Sequence, residues 1–259
     1  MEDEKSVNST IEKNDKSEDG IRYEKPKAAR YAEGIFCIVY LLFMIIVTYI
    51  GYRKYDRIAD DQMLLRVSLR FGFAYMMGIL LIIGDGFHLI PRIIIAFRGS
   101  MWKQHIFLGM GNLISSITIT FFYNLILMLG DSVEFKETEY NYDIEKAILI
   151  LTIIRFFVLL LPMNKWYTEE GSRKWAKIRN SFFVLIGILT IIGLAQVSAN
   201  CYTMPVHFYL IIIILIILSF GFYLPVAIDG KKNPKLGMLM IPKTLCYMAM
   251  MGLIVFWPY

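Results

Sequence analysis

The chain has 259 residues, of which 57% are hydrophobic and 19% are charged, and its formal net charge is +5. Soluble domains average about 45–50% apolar and about 25% charged residues, so this composition favours a membrane protein. No basic stripe with interleaved aromatic residues occurs, and we expect no nucleic-acid partner. The three cysteines, Cys37, Cys201 and Cys246, form no CxxC pair, and we interpret them as buried apolar side chains.

Residues 1–30 are polar, mixed in charge and poor in large apolar side chains. Such a segment buries too little surface to offset its loss of chain entropy on folding, so we predict a disordered cytoplasmic tail. The apolar core of a secretory signal does not occur within it. The chain is therefore predicted to consist of this tail and one transmembrane domain over residues 31–259.

Seven apolar runs follow the tail. They lie at residues 34–52, 69–97, 106–129, 146–163, 180–199, 206–228 and 237–257. Each is close to the roughly 20 residues that cross about 30 Å of hydrocarbon as a helix, and lipid offers no partner for unpaired backbone groups. The fourth run is the shortest and contains Arg155. We therefore predict an all-α bundle of seven transmembrane helices.

The Lys and Arg content of the loops predicts the orientation of this bundle. With seven crossings, the tail and the second, fourth and sixth loops lie on one side, and these segments are basic. The first loop, on the opposite side, is basic as well and is the exception. We predict a multi-pass protein of the cell membrane with its N-terminus in the cytoplasm and its C-terminus outside.

The second apolar run contains three ionisable groups within residues 78–92, which read GILLIIGDGFHLIPR. On a helix, Asp85, His88 and Arg92 have i, i+3 and i+7 spacing and therefore lie on one face. Ionisable side chains at membrane depth are unfavourable unless they pair or contact water, so they usually mark a functional site. We predict that this face lines the working site of the protein.

Two more cations are expected at membrane depth, Arg155 in the fourth run and Lys243 in the first two turns of the seventh. Asp85, the acid that lies well inside a run, cannot neutralise both. Either Lys243 is uncharged, or an anion completes the site. The alternative is that Asp85 pairs with Arg155 or Lys243 only to hold helices together, while Arg92 extends towards the interface.

A polar stripe is predicted along the third helix, because small and polar residues recur there at three- and four-residue spacing. Its members are His105, Gly109, Asn112, Ser116, Thr120 and Asn124. We expect this stripe to face the second helix and to contribute to the site, although such residues also serve as helix–helix contacts. The predicted ligand-binding residues are Asp85, His88, Arg92, Asn112, Ser116, Arg155 and Lys243.

The histidines do not have the spacing of a metal site. His88, His105 and His207 are far apart in the sequence, and neither HxxxH nor HExxH occurs. No serine is distinguished as a nucleophile. We therefore expect no metal and no cofactor.

Several residues resemble those of the YhhN-like lysoplasmalogenase family. The likeness lies in the Gly84-Asp85 pair, in residues 107–111 with Tyr123, and in residues 221–229 with Tyr247. That family hydrolyses the vinyl-ether bond of lysoplasmalogens inside the membrane, and the resemblance implies that Asp85 is a catalytic acid or base. The family has eight helices, however, and its histidine on the third-motif helix is absent here.

Seven helices with Lys243 in the last one also resemble rhodopsins. In rhodopsins the retinal-bearing lysine lies in the middle of its helix and a carboxylate lies on the third helix. The third run contains no carboxylate at that depth, which disfavours this interpretation.

Three functions remain open at this point. The leading hypothesis is a transporter- or receptor-like protein that binds an anionic small molecule or lipid headgroup in a cavity open to the cytoplasm. The second is an intramembrane lipid hydrolase that uses Asp85 and His88 for acid–base chemistry. The third is a non-catalytic membrane subunit whose charges bind partner helices, and the oligomeric state is left open in all three.

Overall fold

The computed structural model describes residues 27–59, 64–99, 102–134, 142–168, 171–201, 204–229 and 234–258. These residues form seven α-helices: α1 (Lys27–Ile58), α2 (Leu65–Arg98), α3 (Gln104–Glu134), α4 (Tyr142–Leu160), α5 (Arg173–Ala199), α6 (Val206–Asp229) and α7 (Met240–Phe256). Short 3-10 helices at Pro162–Asn164 and Pro234–Leu239 follow α4 and precede α7. The all-α prediction is confirmed for the described residues.

The predicted tail lies mostly outside the described residues. Its last four residues, 27–30, form the first turn of α1. The helix therefore begins seven residues before the first apolar run, and its polar N-terminal turns extend beyond the hydrophobic part.

Six helices are long and apolar enough to cross a membrane, with mean hydropathies of 1.7 to 2.8 over their most apolar windows. They are α1, α2, α3, α5, α6 and α7. Because a hydrocarbon core needs about 20 apolar residues per helix, this set identifies an integral membrane protein. The remaining helix, α4, has 19 residues and contains four charged side chains, Asp143, Glu145, Lys146 and Arg155.

The helices form a closed ring with α4 at its edge. Helices adjacent in the sequence pack against each other, and α7 closes the ring through contacts with α1 and α2. Because α3 also packs directly against α5, α4 lies outside the junction of these two helices. Its outer face consists of exposed apolar residues such as Ile150, Ile153 and Phe157.

Glycines bring α2 and α3 close together. A Cβ added to Gly111 on α3 would lie 2.8 Å from the Cα of His88 and 2.9 Å from the carbonyl carbon of Phe87 on α2. A Cβ added to Gly84 on α2 would lie 3.3 Å from the Cα of Ser115. Small residues allow membrane helices to approach in this way. The contact holds the polar segment of α2 directly against α3.

An aromatic cluster, which we call the central aromatic cluster, joins α3, α5, α6 and α7. Its ring centroids are 5.0 to 5.9 Å apart. Its members are Phe122, Tyr123, Phe183, Phe220, Tyr223 and Tyr247. Edge-to-face and tilted contacts of this kind are the favoured geometry of aromatic pairs. The cluster fills the middle of the bundle.

Cations near the first loop bind the C-terminal end of α7. The Lys54 Nζ donates to the Val255 carbonyl at 2.8 Å, and the Arg70 Nη2 donates to the Trp257 carbonyl at 3.1 Å. The last carbonyls of a helix lack intrahelical partners, and Lys or Arg side chains stabilise them. Lys54 and Arg70 therefore have a structural role at the end of α7.

Candidate functional site

A cavity of about 600 Å³ lies at the end of the bundle where α1, α3, α5 and α7 begin. We call this end the N-terminal end of the bundle. Helices α2 to α7 and the turn after α4 contribute to the walls. The volume lies within the range of about 300–1,000 Å³ that is typical of small-molecule sites.

The structure brings all seven predicted binding residues to this one cavity. Asp85, His88, Arg92, Asn112, Ser116, Arg155 and Lys243 all line it. The sequence interpretation missed several other lining residues, among them Ser115, Arg173, Lys177, Arg179, Tyr223 and Tyr247. The boundaries of the apolar runs assign these cations to the basic fourth loop, but α5 begins at Arg173, so its first two turns place Arg173, Lys177 and Arg179 on the cavity wall.

Neutral groups hold the Asp85 carboxylate. Its Oδ2 accepts a hydrogen bond from the Tyr40 hydroxyl on α1, and its Oδ1 accepts one from the Ser115 hydroxyl on α3 at 3.3 Å. Within the described part of the chain, the carboxylate forms no ion pair. Pairing of Asp85 with Arg155 or Lys243, the alternative considered from the sequence, is therefore not found.

Neutral groups also surround Arg155, which is only 2% exposed. Its Nε donates to the Arg179 carbonyl at 3.2 Å, and its Nη1 donates to the Ser116 carbonyl at 3.1 Å and to the Thr120 hydroxyl. The guanidinium carbon lies 4.5 Å from the ring centroid of Phe183. Backbone dipoles and a ring face thus stabilise this charge inside the bundle.

The turn after α4 fixes a second guanidinium. The Arg179 Nη1 donates to the Asn164 Oδ1 at 3.0 Å, and its guanidinium carbon lies 4.2 Å from the ring centroid of Trp166. The Asn164 Nδ2 in turn donates to the Val158 carbonyl at 2.6 Å, which anchors the turn to the end of α4. Arg155 and Arg179 are therefore neighbours on one wall, and both are held in place.

Lys243 lies on the opposite wall, on α7. Its Nζ is 4.6 Å from the ring centroid of Tyr223 and 5.6 Å from that of Tyr247. Such cation–π contacts stabilise a cation without neutralising it. Lys243 also lines the cavity, where its ammonium group can meet a ligand.

His88 and Arg92 complete the α2 face. His88 is 9% exposed, and its Nδ1 has no hydrogen-bond partner among the described residues. Arg92 lies one turn further along α2, closer to the mouth of the cavity. In the described ranges, no group of three His, Cys, Asp or Glu side chains is arranged to hold a metal ion.

The polar stripe of α3 does not face α2 along its whole length, and that prediction was wrong for Thr120 and Asn124. Thr120 accepts a hydrogen bond from Arg155, and the Asn124 Nδ2 donates to the Thr152 hydroxyl on α4 at 2.9 Å. Three successive i+4 steps rotate a row of residues by about 120° around a helix axis. The stripe therefore winds from the cavity, at Asn112, onto the contact with α4.

The described residues that line the cavity include six Lys or Arg side chains and one carboxylate, Asp85. The wall formed by α4 and α5, which we call the α4–α5 wall, contains Arg155, Arg173, Lys177 and Arg179. The wall formed by α2 and α7, the α2–α7 wall, contains Arg92, Lys243 and Asp85. A concave, partly desolvated site of this composition attracts and binds anions.

The fold and the site define a polytopic helical membrane protein with a positively charged cavity at one end. No family model, no curated protein and no solved structure matches the chain.

The environment of Arg155 leads to a stability prediction. We expect Arg155→Met to leave the melting temperature unchanged or to raise it, because Met fills similar volume and the carbonyl partners of Arg155 belong to helices. Replacing a buried charge by an apolar side chain is often neutral or stabilising. Thermal unfolding of the purified protein in nanodiscs, without ligand, measures the effect.

The control for this variant is Arg173→Met, which changes an exposed cation at the cavity mouth and is expected to have little effect on melting. A fall of several degrees for Arg155→Met alone would contradict this prediction and would show that the hydrogen bonds of Arg155 to α3 and α5 stabilise the fold.

Proposed function

We propose that this chain is a transporter- or receptor-like membrane protein that binds an anionic small molecule or lipid headgroup in the cavity. The observation that supports this most directly is the surplus of cations over carboxylates among the described lining residues. Arg155 and Lys243 supply charge at depth, while Asp85 and His88 adjust the local polarity. Buried charges without counterions are unfavourable, and a bound anion removes that cost.

The cavity has a floor, which suits a protein that receives its ligand from one side. Phe183, Tyr223 and Tyr247 line the cavity and belong to the central aromatic cluster. Behind them, Phe122 and Tyr123 are fully buried. A ligand entering from the N-terminal end therefore meets a packed aromatic layer before it reaches the other end of the bundle.

The proposal includes a topology in which all seven helices cross the cell membrane, with the N-terminus in the cytoplasm. Two observations support the crossing of α4: Arg155 faces the bundle, and the outer face of α4 is apolar. Its other charges lie in the first turns of the helix. Among the cations near the first loop, Lys54 and Arg70 have a structural role at the end of α7, so they carry less weight against this orientation.

Cysteine labelling tests this topology. We expect an impermeant maleimide to label Lys146→Cys, an exposed position in the first two turns of α4, in intact cells and to label Lys165→Cys, after α4, only in permeabilised cells. Cys201→Ser is a suitable background because Cys37 and Cys246 are buried. Equal accessibility of the two sites would show that α4 does not cross, and the reverse pattern would invert the orientation.

Anion binding is tested with the purified chain in nanodiscs, with inorganic phosphate and citrate as probes and thermal stabilisation as the measurement. We expect Lys243→Met to weaken binding about tenfold, since a hydrogen bond to a charged group contributes about 1.5–3 kcal/mol. Added salt should weaken it further through screening.

The matched control for Lys243→Met is Lys174→Met, an exposed lysine that does not line the cavity. It should bind both probes as the unchanged chain does. If neither probe stabilises the unchanged chain, or if both lysine variants weaken binding equally, the proposed function is wrong.

An intramembrane lipid hydrolase is the second candidate, which the resemblance to YhhN-like lysoplasmalogenases suggests. The observation that favours it is the position of Asp85 and His88, one turn apart on α2 and both on the cavity wall. With a lysoplasmalogen as the probe, this candidate requires release of the fatty aldehyde. Asp85→Asn should then abolish turnover but keep binding, and Asp143→Asn, at the far end of α4, should keep both.

A further inference from the structure

The two walls of the cavity differ in charge, and this difference indicates what kind of anion binds. Within the described residues, the α4–α5 wall contributes cations and no carboxylate, whereas the α2–α7 wall contributes both. We propose that the ligand is a phosphorylated polyol, with its phosphate on Arg155 and Arg179 and its hydroxyl groups at Asp85. This inference rests on the proposed anion-binding function and specifies the ligand class.

The α4–α5 wall fits a phosphate monoester. A guanidinium has five N–H donors in a planar fork, and Arg155 uses its Nε and Nη1 on protein oxygens, which leaves its Nη2 donors for a ligand. Arg179 uses one Nη1 donor on Asn164. A planar carboxylate is satisfied by one fork, whereas the three terminal oxygens of a phosphate monoester engage two neighbouring guanidinium groups.

Fixed geometry strengthens this interpretation. Arg155 is held by Ser116, Thr120 and the Arg179 carbonyl, and Arg179 is held between Asn164 and Trp166. Guanidinium groups that are already ordered lose little further entropy when they bind an anion. A wall that served only to attract charge would not need this set of contacts.

The α2–α7 wall fits hydroxyl groups. Each oxygen of the Asp85 carboxylate accepts one hydrogen bond from the protein, from Tyr40 and from Ser115, and a carboxylate oxygen accepts two. One acceptor position per oxygen therefore remains for a donor in the cavity. A second anionic group on the ligand would be repelled by Asp85, but a hydroxyl is accepted.

The depth of the cavity excludes a small inorganic anion as the best ligand. The lining residues of α5 extend from Arg173 to Phe183, a distance of about 15 Å at a rise of 1.5 Å per residue. On α2 they extend from Asp85 to Arg92, which is about 10 Å. Inorganic phosphate fills only part of this space, whereas a sugar or inositol phosphate has the length to contact both walls.

The test compares four probes on the full chain in nanodiscs: glucose 6-phosphate, inorganic phosphate, citrate and glucose. We expect glucose 6-phosphate to bind at least about tenfold more tightly than inorganic phosphate, equivalent to about 1.4 kcal/mol, and glucose not to bind. Isothermal titration calorimetry measures the dissociation constants.

Two variants assign the contacts. Arg179→Lys keeps the charge but removes the planar fork, so it should weaken both phosphate probes about tenfold, whereas Arg98→Lys, at an exposed arginine that does not line the cavity, should not. Asp85→Asn should reduce the preference for glucose 6-phosphate over inorganic phosphate to near one, because it removes the carboxylate that accepts the hydroxyl groups.

The outcomes separate this inference from the proposed function. If citrate binds and neither phosphate probe does, or if glucose 6-phosphate shows no preference over inorganic phosphate, the inference is overturned while anion binding stands. If no anion binds, both are overturned.

A final experiment distinguishes the two possible sources of a polyol phosphate, a lipid headgroup and a soluble molecule. Nanodiscs that contain phosphatidylinositol 4-phosphate should displace glucose 6-phosphate if the polyol phosphate is a lipid headgroup. If they do not, a soluble polyol phosphate is the ligand.

Discussion

The structure depends on how a cation is held inside the helical bundle without a counterion among the described residues. Arg155 is fully buried, and its partners are two backbone carbonyls, a hydroxyl and a ring face. These partners come from α3 and α5, so one side chain connects α4 to both helices. Because dipoles hold the guanidinium but do not neutralise it, its charge persists on the cavity wall. The same side chain therefore contacts both neighbouring helices and contributes to the positive charge of the cavity.

The positions of the helices along the chain could be predicted from the sequence, because an apolar run of membrane length can satisfy its backbone hydrogen bonds in lipid as a helix and in few other ways. The ends of the helices do not follow in this way. The first turns of α5 are as basic as a solvated loop, and only the presence of a cavity beside them makes them part of the bundle. The winding of the α3 stripe could not be predicted either. Residues at three- or four-residue spacing share one helix face over one or two turns, but a longer row of them rotates around the helix axis.

The charged residues of the candidate site could be predicted from the sequence, but their hydrogen-bond partners could not. Asp85, His88, Arg155 and Lys243 are conspicuous because ionisable groups are rare in apolar runs. Their partners are not conspicuous. Tyr40 is an ordinary aromatic residue in an apolar run, and the carbonyls that hold Arg155 have no signature in the sequence. Charge complementarity suggested an ion pair, but hydroxyl groups hold Asp85, and carbonyls, a hydroxyl and a ring face hold Arg155.

The length of α4 has a consequence for the surrounding lipid. If α4 crosses the membrane as proposed, it offers residues 147–160 to the hydrocarbon after its charged first turns, a span of about 21 Å at 1.5 Å per residue. On the proposed topology this is about 9 Å less than an average hydrocarbon core of about 30 Å, and hydrophobic mismatch of this sign is relieved by local thinning of the bilayer. The thinned annulus would lie beside the α4–α5 wall, so headgroups and water approach Arg155 and Arg179 from the flank as well as through the mouth.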